Sequence, residues 1–167
     1  MKSDEYWIEK LNLLKHPEGG YFREIYRSHE LIDAASLPLR YGGKRAFSTS
    51  IYFLLKSGEF SAFHRLKSDE IWHFYYGSPL ILYMINNNGK LLKQLLGNNP
   101  DKNEHLQIVI EKGNWFAASV MKPASYSLMA CSVSPGFDFL DFELAKKDEL
   151  LKEYPQYYEV IVNYTLS

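Results

Sequence analysis

Trp7, Ile8, Leu11 and Leu14 recur at helical spacing, and the pattern stops at Pro17, whose ring disfavours helix in the residue before it. This predicts an N-terminal helix over about 4–15. The order Tyr-Phe-Arg-Glu-Ile-Tyr-Arg from Tyr21 to Arg27 predicts a strand, and the polar stretch with Pro38, Gly42 and Gly43 predicts a loop long enough to act as a lid or an arm. From Ala46 to Ser134 short β-rich runs are cut by turn signals such as Lys56-Ser57-Gly58, Lys67-Ser68-Asp69, Gly77-Ser78-Pro79 and Lys112-Gly113-Asn114, a spacing typical of sandwiches and barrels. The strongest hairpin signal is Asn88-Gly89 between Leu80-to-Ile85 and Leu91-to-Leu96, read as a type I′ turn. After Phe142 the texture changes to Glu, Lys and Leu at helical spacing, broken at Pro155, so one or two helices over about 143–164 close the chain. The expectation is one domain over 1–167, mainly β, with its barrel over about 20–142.

The 167 residues suffice for a sizeable core without covalent staples, and the single cysteine, Cys131, can form no internal disulfide. With 19 Lys and Arg against 20 Asp and Glu, no global field exists to hold a phosphate backbone, so no nucleic-acid partner is expected. The acidic start MKSDEYWIEK and the lack of a long apolar run lead to the expectation of a cytoplasmic protein with no membrane partner.

Candidate chemistry sits between Gly58 and Gly77. If residues 60–66 and 70–76 are antiparallel strands joined at Lys67-Ser68-Asp69, alternation places Ala62, His64 and Leu66 on one face, and Glu70, Trp72 and Phe74 on one face of the partner. Where those faces coincide, an imidazole, a carboxylate and an indole converge among apolar neighbours, the composition of a small-ligand pocket. Ser61 and His73 are expected to point the other way.

Gly58, His64, Glu70 and Gly77 fall in register with the first motif of the cupin superfamily, although Leu66 occupies its second histidine position. The segments His16-Pro-Glu-Gly-Gly-Tyr-Phe22, Ser48-Thr-Ser-Ile51, Phe63-His64-Arg65, Ser68-Asp-Glu-Ile-Trp-His73, Gly113-Asn-Trp-Phe116 and Ser134-Pro-Gly-Phe-Asp-Phe139 resemble more closely the cupin branch named domain of unknown function 985. That resemblance implies a cupin double-stranded β-helix (jelly roll), a homodimer and a ligand-sized cavity in the barrel. It brings no settled reaction.

Metal-dependent cupins use three histidines and a glutamate. Here His64 and Glu70 match, Leu66 cannot ligate, and no histidine occurs from Gly113 to Cys131, so no tightly bound metal is expected and these two remain weak candidates for one. In the metal-free reading, His64 and Glu70 act as polar anchors or as the acid and base of a sugar isomerase or epimerase. The alternatives are a metal-dependent enzyme, a non-catalytic ligand-binding protein, and a vestigial barrel in which His64 only satisfies a hydrogen bond. Trp72 and Trp115 offer faces for a sugar ring or base, or serve as core. The glycines after Glu18 permit a bend that brings Glu18 and Tyr21 to a pocket rim. Arg65 is expected to point away from the pocket, the Pro135-to-Phe139 cluster to pack the last helix, and Cys131 to be a buried small hydrophobe. The ligand-binding set is then Trp72, Ala62, Phe74, Trp115, Glu18 and Tyr21. The expected ligand is a small polar molecule, a sugar or nucleotide derivative.

Overall fold

A computed structural model describes residues 2–166. The first helix, α1 (Asp4–Lys10), is capped by Ser3, whose Oγ accepts from the Tyr6 amide at 3.2 Å, with Asp4 and Glu5 in its first turn and Lys10 in its last. It ends five residues before the expected limit, because Leu13 turns into the core and β1 (Leu14–Lys15) pairs with β2 (Tyr21–Arg27). Segment 28–44 contains β3 (Leu31–Ile32), which pairs with β4 (Arg45–Ala46). Then follow β5 (Thr49–Lys56), β6 (Phe60–Leu66), β7 (Asp69–Gly77), β8 (Leu80–Ile85), β9 (Leu91–Leu96), β10 (Glu104–His105), β11 (Gln107–Ile110), β12 (Trp115–Val120), β13 (Tyr126–Ser134) and β14 (Phe142–Leu144). The helices α2 (Lys147–Glu153) and α3 (Tyr158–Asn163) close the chain on either side of Pro155.

The long strands form two six-stranded sheets, ordered β1-β2-β5-β13-β7-β11 and β10-β9-β8-β12-β6-β14, in a jelly-roll arrangement. β6 and β7 therefore do not pair with each other across the Lys67-Ser68-Asp69 turn: the chain crosses there from one sheet to the other. The hairpin at residues 86–90 forms as expected, but its turn is not type I′. Asn88 keeps a negative φ, Gly89 alone is left-handed at +74°, and the Asn86 amide donates to the Lys90 carbonyl, giving a three-residue loop.

Between the sheets, Phe53, Leu55, Trp72, Phe74, Leu82, Phe116 and Met129 form the main core at one end of the barrel. Two satellites fasten the helices. Phe63, Ile85 and Trp115 pack under α2 and α3, and Leu54 and Leu128 pack beneath α1. No described helix is long and apolar enough to cross a membrane.

Candidate functional site

The other end of the barrel is hollow. A cavity of about 270 Å³ opens there, walled by β2, β5, β6, β7 and β13 and by the segment 137–142. His64 and Glu70, on opposite sheets, both line it, as do Glu18 and Trp72.

A β-bulge sets the first wall. Along β12, Phe116 pairs with His64 and Ala118 with Ser61, so β6 carries one extra residue in that interval. The bulge breaks alternation and brings Ser61 to the same carboxyl as His64. Ser61 Oγ donates to Glu18 Oε1 at 2.7 Å, and His64 Nε2 lies 3.1 Å from Glu18 Oε2. The Ala62 amide, freed from the ladder, donates to the Glu18 carbonyl at 2.8 Å. Gly19 permits this close approach: it has φ +111°, and a Cβ there would stand 2.1 Å from the Phe60 carbonyl oxygen. His16 completes the cluster, its Nδ1 3.4 Å from Glu18 Oε2.

His64 is 2% exposed, and its Nδ1 donates to the Ala62 carbonyl at 2.7 Å, which leaves Nε2 as the acceptor in the neutral ring. Burial pushes its pKa down to about 3, against that hydrogen bond, and burial pushes His16 down to about 4. Burial also holds the Glu18 carboxyl well above the usual carboxylate range, helped by the charge of Glu70 and opposed by Ser61. The pair is thus a neutral acid donating to a neutral imidazole rather than an ion pair.

Glu70 is different. It is 7% exposed and its Oε2 has no hydrogen-bond partner; the neighbouring Trp72 Nε1 has none either. Burial raises the Glu70 carboxyl to about 7, while the nearby Trp72 indole and Cys131 thiol hold it down. The Cys131 thiol is pushed far up by burial and by Glu70 and Glu18, so it is an inert wall group.

Four expected ligand contacts are not in the cavity wall. Ala62 is turned aside by the bulge and contributes only backbone, its carbonyl to His64 and its amide to Glu18. Phe74 lies deeper, in the main core. Tyr21 packs toward α1 with Lys15 over its ring, leaving its neighbour Phe22 in the wall. Trp115 packs toward the C-terminal helices under Arg65, while its neighbour Phe116 meets the His64 ring at 4.0 Å. Arg65 points away, paired with Glu143, and His73 turns from the cavity to meet Ser132 at 3.3 Å. The Pro135-to-Phe139 stretch does not pack the last helix: Phe137, Asp138 and Phe139 form the mouth, with Phe142 behind them. Sequence reasoning also missed His16, Phe22, Glu24 and Ser61 as wall residues. The parity of His16 with Glu18, and of Phe22 with Glu24, was the available signal; the bulge that turns Ser61 inward left none.

These residues do not fit the metal site of metal-dependent cupins. Leu66 lines the cavity at the second histidine position, and both ring nitrogens of His64 are engaged within the protein. Among the described residues, no three His, Cys, Asp or Glu side chains form a group that could hold a metal ion.

The family described as Cupin superfamily (DUF985) matches residues 5–145. No curated protein matches the chain significantly. Among solved structures, a protein from Shewanella oneidensis is 38% identical with a TM-score of 0.90, the alignment covering 99% of each chain. A hypothetical protein from Leishmania major is 35% identical with a TM-score of 0.91, over 99% of this chain and 100% of that one. Oxalate decarboxylase from Bacillus subtilis is 16% identical with a TM-score of 0.55, over 90% of this chain and 36% of that one, a likeness of fold alone.

Proposed function

The chain belongs to the cupin superfamily, in its DUF985 branch, and we propose that its barrel binds a small polar carbonyl compound of sugar type and moves a proton beside the carbonyl, as an isomerase or epimerase does. The observation that carries this reading is the buried, unpartnered Oε2 of Glu70 in the cavity wall, next to an unpartnered Trp72 N–H. A carboxyl held near pH 7 is suited both to take and to return a proton at physiological pH.

In this mechanism the Glu70 carboxylate removes the proton from the carbon next to the carbonyl. The electron pair moves to the carbonyl oxygen, which accepts a hydrogen bond from Trp72 Nε1, giving an enediolate, while Glu18 keeps its proton, donated in a hydrogen bond to His64 Nε2. For isomerisation the neighbouring hydroxyl passes its proton to that oxygen and becomes the new carbonyl as Glu70 returns its proton to the former carbonyl carbon; for epimerisation Glu70 returns its proton to the opposite face of the original carbon after the ligand turns. Glu18, His64 and Ser61, hydrogen-bonded to one another, hold the wall around the ligand, which makes them positioning residues.

The test is deuterium incorporation. In D2O, wild-type protein should exchange the C–H next to the carbonyl in at least one member of a panel of free aldoses and ketoses, read by NMR, and Glu70→Gln should abolish the exchange. Exchange that is undiminished in Glu70→Gln overturns the mechanism. The same reading keeps the molecule a cytoplasmic homodimer, supported for self-association by exposed Ile25, Tyr26, Tyr75 and Val109 on one sheet. Sedimentation equilibrium tests that association.

A further inference from the structure

Four carboxyl groups line the cavity, those of Glu18, Glu24, Glu70 and Asp138, against one permanent cation, Arg27. That guanidinium is already committed. Its Nε and Nη2 donate to the two carboxylate oxygens of Glu24 at 3.0 and 2.7 Å, and its Nη1 donates to the Phe137 carbonyl at 3.1 Å. The two wall imidazoles, His16 and His64, are buried against Glu18 and carry no charge near neutral pH. An anion entering here finds no free positive partner, and its desolvation goes uncompensated.

The rest of the wall favours the opposite sign. Phe22, Phe53, Trp72, Phe137, Phe139 and Phe142 supply aromatic surface, whose ring faces attract cations and pack against C–H groups. Two polar atoms of this wall are buried without a partner: Glu70 Oε2, an acceptor that needs a donor from the ligand, and beside it the neutral Trp72 N–H, which carries no charge to balance an anion. The volume of about 270 Å³ lies just below the usual range of ligand sites, about 300 to 1,000 Å³, so only a compact ligand fits.

We infer that the cavity selects compact ligands that are uncharged or cationic and present hydroxyl or ammonium donors, and that it rejects ligands carrying phosphate or carboxylate. This rests on the reading that the barrel receives a ligand, and it divides the expected sugar and nucleotide derivatives: free sugars and amino sugars fit, while phosphorylated sugars and nucleotides do not.

Cys131, the only cysteine, lines the cavity and reports its charge without knowledge of the ligand. Three methanethiosulfonate reagents of similar size serve as probes: trimethylammonioethyl, hydroxyethyl and sulfonatoethyl. In each, the thiolate attacks the thiosulfonate sulfur, a disulfide forms and methanesulfinate leaves. Rates at pH 8, read by intact-protein mass spectrometry, are divided by those of the urea-unfolded protein, which removes intrinsic reagent differences. The cation should exceed the anion by about tenfold or more, with the neutral reagent between them, as expected for a cleft lined by one sign of charge. The Glu70→Gln/Asp138→Asn double variant should bring the ratio toward unity. Labelling in which the anion equals or exceeds the cation overturns the charge selection and leaves the ligand-cavity reading standing. The raised pKa of Cys131 slows all three reagents alike and cancels in their ratio; absence of labelling is therefore scored at pH 10 over times about a thousandfold longer than those that label the unfolded chain, and none by then shows a cavity closed to ligands of this size and overturns both.

Discussion

Glu18 Oε2 stands 3.1 Å from His64 Nε2, and the two meet as carboxylic acid and neutral imidazole because burial disfavours charge on both. Glu18→Gln should therefore be tolerated, since its amide N–H replaces the acid as donor to His64 and its oxygen still accepts from Ser61. The expected loss is under about 1 kcal/mol in urea unfolding, against about 2–3 kcal/mol for Glu18→Ala, which strands both partners. A loss above about 3 kcal/mol for Glu18→Gln would identify a charged pair instead.

The Glu70 carboxyl gives stability a defined pH dependence. Its folded pKa of about 7 lies above the unfolded value near 4.3, so the native state binds more protons between them. Its contribution is full below about pH 4 and is lost as pH rises through 7. Glu70→Gln cannot ionise, and it should be more stable than wild type at pH 8 by about 3–4 kcal/mol, the gap nearly closing at about pH 4.5. Denaturant midpoints at the two pH values measure this, and a gap independent of pH would show that the group is not buried as described.

His16 and His64 act with the opposite sign. Their folded values of about 4 and about 3 lie below the unfolded value near 6.5, so their contribution is full above that pH and is lost on acidification toward 4. His64→Asn should flatten the acid limb of the stability curve measured between pH 6.5 and 4.

Gly19 and Gly58 are both left-handed, at +111° and +85°, but only Gly19 is crowded. Gly58→Ala meets open space and should cost about 1–2 kcal/mol of backbone strain. Gly19→Ala adds a collision with the Phe60 carbonyl and should exceed about 3 kcal/mol, with loss of the Glu18 contacts. Equal thermal shifts for the two would refute the close approach.

Arg45 Nε and Nη2 donate to the two Asp141 carboxylate oxygens, each at 2.6 Å, with side chains 2% and 3% exposed. This pair ties the mouth segment to β4. Asp141→Asn should cost about 3–5 kcal/mol because it leaves the guanidinium buried beside a neutral partner, and the double change Arg45→Met/Asp141→Leu should recover much of that loss in urea unfolding.

Much of the barrel was legible because alternation and turn residues are local properties: β2, β6, β8 and β9 begin and end where the sequence reading put them. The N-terminal helix was read too long because Leu11 and Leu14 fit a helical stripe, while the pairing of β1 with β2 that claims Leu14 is non-local. His64, Glu70, Trp72 and Glu18 were all found among the cavity residues, though the first two were expected to meet through a hairpin.

The amino-acid order alone determined the β-rich architecture, the flanking helices and the identity of the main polar groups, since periodicity, turn chemistry and motif spacing are written in consecutive residues. Only the tertiary structure decided which of two neighbours faces inward, Phe22 rather than Tyr21 and Phe116 rather than Trp115, and that Ser61 joins His64 on Glu18. For Ser61 the reason is geometric: one extra residue in β6 reverses the facing of the residues beyond it. The sheet crossover after Leu66 then sets Glu70 opposite, contacts that no local pattern encodes.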